Sequence, residues 1–265
     1  MVRFCGELFI PPCVYWRWLL KINGMKNWIY VCLLFAFLGH QSFAQESDLN
    51  GLGTWNVLNI KADIGERWSV FVEPQLRSLR WYDHFHYYEI KGGVTYDLSQ
   101  TFSLTTGFGR YDTYQEGGDF VTPKANNEIR TWLQLQMYQY LNRIRFEHRY
   151  RAEQRWTSNG FRNRFRYRFN TLLPLNGPKI KTGVFYLNAS DELFLTDRAP
   201  FFERNRFFVG LGYKFSPLFT LQSGWMNQFD YRINDETGRN FLQLSFLFEL
   251  QWQQAERTTR PDSMN

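Results

Sequence analysis

Cysteine is scarce in this sequence, and its positions matter more than its number. The chain of 265 residues has three cysteines, Cys5, Cys13 and Cys32, and all of them precede Ala44. Because we expect cleavage after Ala44, the mature protein has no cysteine for a disulfide bond, a thiolate metal site or a nucleophile. Cysteine chemistry is therefore excluded from its function.

Long apolar runs are also rare. The mean hydropathy of −0.45 excludes a polytopic helical membrane protein, which needs several apolar runs of roughly 20 residues. An aromatic content of 19% excludes a disordered chain. The sequence has no phosphate loop, dinucleotide fingerprint, zinc signature or EF-hand loop, so we expect no cofactor.

The N-terminal segment has the features of a secretory signal peptide. Lys26 precedes an apolar core from Trp28 to Leu38, and Ser42 to Ala44 resembles a cleavage site for signal peptidase. The alternative, a permanent anchor, is disfavoured because the apolar core is too short to span a bilayer. We expect 1–24 to be an extension upstream of the true start, 25–44 a cleaved signal peptide, 45–252 the folded domain and 253–265 a polar tail.

Cleavage also lowers the positive charge of the chain. Four basic residues and one acidic residue lie before position 45, so the formal charge falls from +6 to +3. In FRNRFRYRF, at 161–169, basic and aromatic side chains alternate and so lie on opposite faces of a strand. A nucleic-acid surface needs both kinds on one face, and we therefore expect no nucleic-acid partner.

The sequence after residue 45 alternates with period two and has no useful helical stretch. In Arg143 to Trp156, arginine and glutamate occupy one face, whereas the other face is mostly apolar. Similar stretches predict eleven strands, at Leu52–Ala62, Arg67–Arg80, His86–Leu98, Thr101–Thr113, Asn127–Leu141, Arg143–Trp156, Phe161–Phe169, Lys179–Phe194, Glu203–Phe215, Leu218–Tyr231 and Phe241–Trp252.

The strand lengths favour a membrane barrel over a soluble sandwich. Strands in soluble proteins average about 5 to 6 residues, whereas tilted membrane strands need about 9 to 11. The connections also alternate in length: short ones are at 97–100, 141–142, 174–178 and 216–217, and long ones are at 114–126, 195–202 and 232–239. We predict an all-β, closed antiparallel transmembrane barrel of about 10 to 12 strands, with short periplasmic turns and longer extracellular loops. An even number is expected, which makes Leu52–Ala62, with its poorly separated faces, the weakest strand.

Several segments resemble a known family. They are GTWNVLNIKADIGERWSVFVEPQLR, NNEIRTWLQLQMYQ, RIRFEHRYRAEQRW, FRNRFRYRF, YLNASDELFL and ERNRFFVGLGYKF. Over about Gly53 to Leu250 the chain resembles the uncharacterised outer-membrane barrel family called domain of unknown function 2490. The resemblance implies the outer membrane of a Gram-negative bacterium, with its lipid, its lipopolysaccharide and the barrel assembly machinery as partners. It implies no activity. The polar tail after Trp252 departs from the terminal aromatic residue that is common in such barrels.

An arginine-rich inner face is the main candidate for a functional site. If the apolar faces contact lipid, the polar faces point into the lumen, where the arginines form either an ion-pair network that fills it or an anion-attracting pore. The residues are Arg130, Arg143, Arg145, Glu147, Arg149, Arg151, Glu153, Arg155, Arg162, Arg164, Arg166, Arg168, Glu192, Arg204 and Arg206.

Other chemistry has weaker support. His84 and His86 could bind a metal, although they are more simply rim residues, since the sequence places no third ligand. An enzyme acting on lipid or lipopolysaccharide would need a nucleophile such as Ser78 beside these histidines and Glu89. We expect instead a small porin-like or envelope-structural barrel, not an enzyme, with small anionic solutes as candidate ligands.

Overall fold

The computed structural model describes residues 51–233 and 236–251 and is all-β in these ranges. No helix in the described part of the chain is long and apolar enough to cross a membrane. The expected upstream extension, the signal peptide, Trp252 and the polar tail lie outside the described residues. The strands are β1 (Gly53–Asp63), β2 (Trp68–Arg80), β3 (Asp83–Asp97), β4 (Phe102–Gln115), β5 (Val121–Leu141), β6 (Ile144–Thr157), β7 (Gly160–Pro174), β8 (Phe185–Thr196), β9 (Phe202–Lys214), β10 (Phe219–Asp230) and β11 (Thr237–Gln251).

The strands form a closed barrel, which confirms the predicted fold class. Consecutive strands pair antiparallel, and β1 closes the barrel by pairing in parallel with β11 from Gly53 opposite Phe241 to Asp63 opposite Gln251. The expectation of an even strand number was wrong. The weakest predicted strand is present as β1, and a barrel with an odd number of consecutively antiparallel strands must close through one parallel pair.

The connections at the two ends of the barrel differ less in length than the sequence predicted. The end at which β1 ends, called end A, has connections at 64–67, 98–101, 142–143, 175–184 and 215–218. The opposite end, end B, has connections at 81–82, 116–120, 158–159, 197–201 and 231–236.

The prediction of longer loops at end B was therefore wrong. The longest of these connections, 175–184, lies at end A. A long loop was expected at 114–126, but the connection there is short because β4 and β5 continue to pair towards end B. Tyr114 lies opposite Lys124, and Gln115 lies opposite Val121. Register shifts on both sides of Tyr114 allow this extension.

The wall has an apolar outer face and a mostly polar inner face. Phe108, Ile129 and Phe165 are each more than half exposed and point away from the lumen. On β6, by contrast, Glu153 and Arg155 point inward and are buried inside the barrel. Polar and apolar residues alternate in the sequence because successive side chains of a strand point to opposite sides of the wall.

An apolar core lies inside the barrel, beside the parallel seam. It consists of Trp55, Val57, Phe208, Met226 and Phe241. A Cβ on Gly224 would lie 2.7 Å from Cζ of Phe208 and 2.5 Å from Cα of Gly210. Glycine is therefore needed at position 224, where the aromatic ring and the neighbouring backbone both approach the strand closely.

Candidate functional site

The lumen contains one large cavity of about 2230 Å³. Its lining includes Lys61 and Glu249 near end A and Arg162 and Arg239 near end B. Between them the lining is rich in guanidinium, carboxylate and amide groups from the middle of the strands. The cavity therefore runs through the part of the barrel that the sequence identified as polar.

The registers of β6 and β7 place arginines directly opposite each other. Arg149 lies opposite Arg168, and Arg151 lies opposite Arg166. Like charges in such positions destabilise a sheet. Carboxylates on β6 itself and on neighbouring strands must therefore stabilise this part of the wall.

Glu153 is the most enclosed of these carboxylates, with 1% of its surface exposed. It accepts a hydrogen bond of 2.8 Å from Nε of Arg164 and one of 2.7 Å from Nη1 of Arg166. Arg151 lies 3.5 Å away, measured from Nη1 to Oε1. One carboxylate thus serves three guanidinium groups.

A second group of ion pairs lies closer to end B. Glu128 accepts hydrogen bonds of 2.9 Å from Nη2 of both Arg130 and Arg155. Glu203 contacts Arg155 at 3.0 Å and Arg164 at 3.3 Å. These contacts link β5, β6, β7 and β9 across the lumen and satisfy most of the buried charge in this layer.

Glu192 is the centre of a third group, in which arginines outnumber carboxylates. It binds Arg149, and Nε of Arg166 donates a hydrogen bond of 2.9 Å to it. In the sheet Glu192 lies between Arg168 on β7 and Arg206 on β9. Within the described residues, neither Arg168 nor Arg206 forms an ion pair with a carboxylate. Arg206 instead donates a hydrogen bond of 2.9 Å to Oε1 of Gln228.

Aromatic residues inside the lumen are a feature that the sequence analysis missed. The guanidinium carbon of Arg77 lies 3.4 Å from the ring centre of Trp55 and 4.1 Å from that of Tyr87. Arg206 lies 4.8 Å from the ring centres of both Trp55 and Phe194. These contacts stabilise cations that have few carboxylate partners. The signal for them was the position of Trp55 and Phe194 on the same strand faces as Asn59 and Glu192.

Amides line the cavity on the end A side of Glu192. Asn188 and Ser190 follow the same inner face of β8, since they alternate with outward residues. Nδ2 of Asn188 donates a hydrogen bond of 2.8 Å to Gln222. Its Oδ1 is buried and has no hydrogen-bond partner among the described residues. A buried acceptor without a partner in the described ranges therefore lies close to the arginine-rich layer.

The structure brings most of the predicted site residues together around the lumen. Arg143 is the exception and a correction: it lies in the connection 142–143 before β6, is exposed and does not line the lumen cavity. The residues that line the cavity or bind those that do are Arg130, Arg145, Glu147, Arg149, Arg151, Glu153, Arg155, Arg162, Arg164, Arg166, Arg168, Glu192, Arg204 and Arg206.

The weaker candidates of the sequence have other partners in the structure. No group of three potential metal ligands occurs in the described ranges. His84 contacts Asp83 at 2.8 Å, and His86 lines the lumen. The hydroxyl of Ser78 contacts the hydroxyl of Thr54 at 2.5 Å and donates a hydrogen bond of 2.6 Å to the carbonyl of Arg80. Ser78 is thus engaged by groups other than a histidine.

The outer wall also has a small polar cluster. Asp112 accepts hydrogen bonds from Nε of Arg110 at 3.1 Å and from Nζ of Lys124 at 3.0 Å. Arg110 is more than half exposed and does not line the lumen. It provides an arginine on the same barrel that faces away from the cavity.

Comparison with known proteins identifies a family but no activity. The model of the family described as "Protein of unknown function (DUF2490)" matches residues 52–239. No curated protein and no solved structure matches the chain. The match confirms the resemblance seen in the sequence and covers nearly the whole barrel.

Proposed function

The chain belongs to the DUF2490 family, and on that premise we propose that it is a porin-like barrel of a Gram-negative outer membrane that admits small anionic solutes. The observation that carries the proposal is the cavity of about 2230 Å³, which has arginines along its wall and lining residues at both ends of the barrel.

The outer surface supports a membrane location. Exposed apolar side chains occur on strands all around the wall, among them Val94, Phe108, Leu133, Leu187 and Leu211. Large exposed apolar surfaces on a soluble monomer are unfavourable. An apolar outer face with a polar interior is the arrangement that a lipid bilayer stabilises.

The inner surface supports a preference for anions. On β6 and β7 the inner face carries eight arginines but only two glutamates, Glu147 and Glu153. Carboxylates from neighbouring strands neutralise part of this charge, yet within the described residues Arg168 and Arg206 form no ion pair with a carboxylate. Unneutralised cations in a narrow, low-dielectric channel raise the local concentration of anions.

An envelope-structural barrel without conduction is the second candidate. It is favoured by the buried layer around Trp55, Phe194 and Phe241, each at most 4% exposed, which narrows the lumen. An enzyme at the outer-leaflet rim is less well supported, because the hydroxyl of Ser78 is bound to Thr54 and the Arg80 carbonyl.

Single-channel recording tests the proposal. The protein, purified in detergent, is inserted into a planar bilayer, and the reversal potential is measured under a salt gradient. We expect stable steps with a reversal potential on the anion-selective side. Cation-selective steps would contradict the proposal. A correctly folded and inserted barrel that stays silent would favour the structural role.

A further inference from the structure

We propose that Arg168 and Arg206, on either side of Glu192, form a binding site for the phosphate group of a hydroxyl-bearing phosphate monoester, such as a sugar phosphate. The inference deepens the proposed function, since it names the class of anion that a barrel open to such solutes would take.

The site is one row of charged residues across four neighbouring strands. Arg149 on β6 lies opposite Arg168 on β7, which lies opposite Glu192 on β8, which lies opposite Arg206 on β9. All four line the lumen cavity. The backbones of Arg168 and Arg206 are separated by two strand spacings, or about 10 Å. Long arginine side chains can converge on one anion over that distance.

The row has too little negative charge of its own. The carboxylate of Glu192 is already used by Arg149 and Arg166. Nε of Arg168 and Nε of Arg149 are buried without a hydrogen-bond partner in the part of the chain that the structure describes. Buried guanidinium groups are costly unless an anion or a strong acceptor satisfies them. A bound anion would supply both the charge and the missing acceptors.

The charge of the missing anion favours phosphate over carboxylate. Two arginines, Arg168 and Arg206, lie opposite Glu192 in the sheet, but within the described residues neither forms an ion pair with a carboxylate. A phosphate monoester carries about −1.5 to −2 charges at neutral pH, whereas a carboxylate carries one. The planar fork of arginine binds phosphate oxygens in pairs. The phosphate monoester therefore matches the row in both charge and geometry.

The rest of the ligand would contact the amide side of the cavity. Asn188 and Ser190 continue the inner face of β8 from Glu192 towards end A. Asn188 is 8% exposed, and its Oδ1 lacks a hydrogen-bond partner among the described residues. A free carbonyl oxygen of this kind accepts a hydrogen bond from a hydroxyl group. This places the hydroxyl-bearing part of the ligand beside the phosphate site.

Calorimetry on the full barrel in detergent tests the site. The probes are glucose 6-phosphate, inorganic phosphate, gluconate and glucose. We expect glucose 6-phosphate to bind most tightly, inorganic phosphate more weakly and glucose not at all. Tighter binding of gluconate than of glucose 6-phosphate would overturn the assignment to phosphate, and failure of both phosphate probes to bind would overturn the site.

Variants locate the binding. Arg168→Gln and Arg206→Gln should each weaken the binding of glucose 6-phosphate by roughly 10- to 100-fold, because each removes charge-assisted hydrogen bonds. Asn188→Ala should weaken glucose 6-phosphate but not inorganic phosphate. Arg110→Gln, the same kind of change on the outer wall, should have no effect. Unchanged affinity in both Arg168→Gln and Arg206→Gln would overturn the proposal.

Conductance of the same preparations separates this proposal from the proposed function. If the barrel is anion-selective but binds neither phosphate probe, the proposed pore is supported and the phosphate site is contradicted. If the barrel binds glucose 6-phosphate through Arg168 and Arg206 but never conducts, the phosphate site is supported and the pore is contradicted.

Discussion

Arg166 joins the two carboxylates at the centre of the lumen. Its Nη1 donates a hydrogen bond of 2.7 Å to Glu153, and its Nε donates one of 2.9 Å to Glu192. Two groups of ion pairs, one centred on Glu153 of β6 and the other on Glu192 of β8, therefore share one guanidinium. Arg166 also lies directly opposite Arg151 in the sheet, so the two carboxylates offset a repulsion that the register imposes.

The first prediction follows from this shared contact. Arg166→Met should lower the free energy of unfolding by about 3–5 kcal/mol, because it removes one partner from two buried carboxylates. Urea unfolding of the barrel in lipid vesicles measures the change. Arg143→Met, in an exposed connection at end A, is the control and should change stability by less than about 0.5 kcal/mol. Equal effects of the two variants would show that the network does not stabilise the barrel.

The second prediction concerns ion selectivity. Arg162 lines the cavity, is partly exposed and approaches Glu203 only at 3.9 Å. Arg162→Glu should therefore shift the reversal potential towards cations without unfolding the barrel, since it reverses one charge of the wall. Arg110→Glu makes the same change outside the lumen and should leave selectivity as it was. If only the Arg110 variant shifted the reversal potential, Arg162 would not contribute to the selectivity.

A third prediction tests the packing inside the barrel. Gly224→Ala should destabilise the protein by about 1–3 kcal/mol, because overpacking forces neighbouring groups to move. The new Cβ would lie 2.3 Å from the carbonyl oxygen of Val209 and 2.7 Å from the Phe208 ring. Gly65→Ala, whose Cβ would meet nothing within 4 Å, is the matched control. Thermal unfolding of both variants measures the change. Equal stability of the two variants would show that the close approach of Val209 and Phe208 does not require glycine at position 224.

The fourth prediction concerns pH at end B. Nδ2 of Asn163 donates a hydrogen bond of 2.8 Å to Asp197, in the connection 197–201, and holds the pKa of that carboxyl below its ordinary value. A lowered folded-state pKa gives a contribution to stability that is present above the unfolded-state pKa. It is lost as pH falls through the folded-state pKa.

Titration of Asp197 by carbon-detected NMR measures this shift. Asn163→Ala should raise the pKa of Asp197 towards that of an ordinary aspartate, and the connection should then loosen at a less acidic pH. The same pKa in both proteins would mean that Asn163 does not stabilise the carboxylate.

The strands could be predicted from the sequence because alternation is a local property. All eleven predicted strands are present, although β5 begins at Val121 rather than Asn127 and β8 begins at Phe185 rather than Lys179. The parity of the barrel could not be predicted in this way. The parallel pairing of β1 with β11 depends on how the whole sheet closes, and the poorly separated faces of β1 reflect inward apolar residues such as Trp55 and Val57.

The inner face could be predicted, but its chemistry could not. Alternation places Arg168 and Glu192 on the inside of their strands. Their position opposite each other depends on the ten-residue connection 175–184, which fixes the register of β7 and β8. The buried Phe194 was missed because alternation assigns a face and does not show how much of the space behind it is filled.

The parallel seam also bears on how the barrel folds. Every other pairing joins strands that are neighbours in the sequence, whereas β1 and β11 are separated by all the remaining strands. Closing so long a stretch of chain carries the largest entropic cost of any pairing in the wall. The seam is therefore expected to form last, after the hairpins have brought their neighbours together. A probe placed across β1 and β11 would report completion of the barrel, and one across β6 and β7 would report an earlier step.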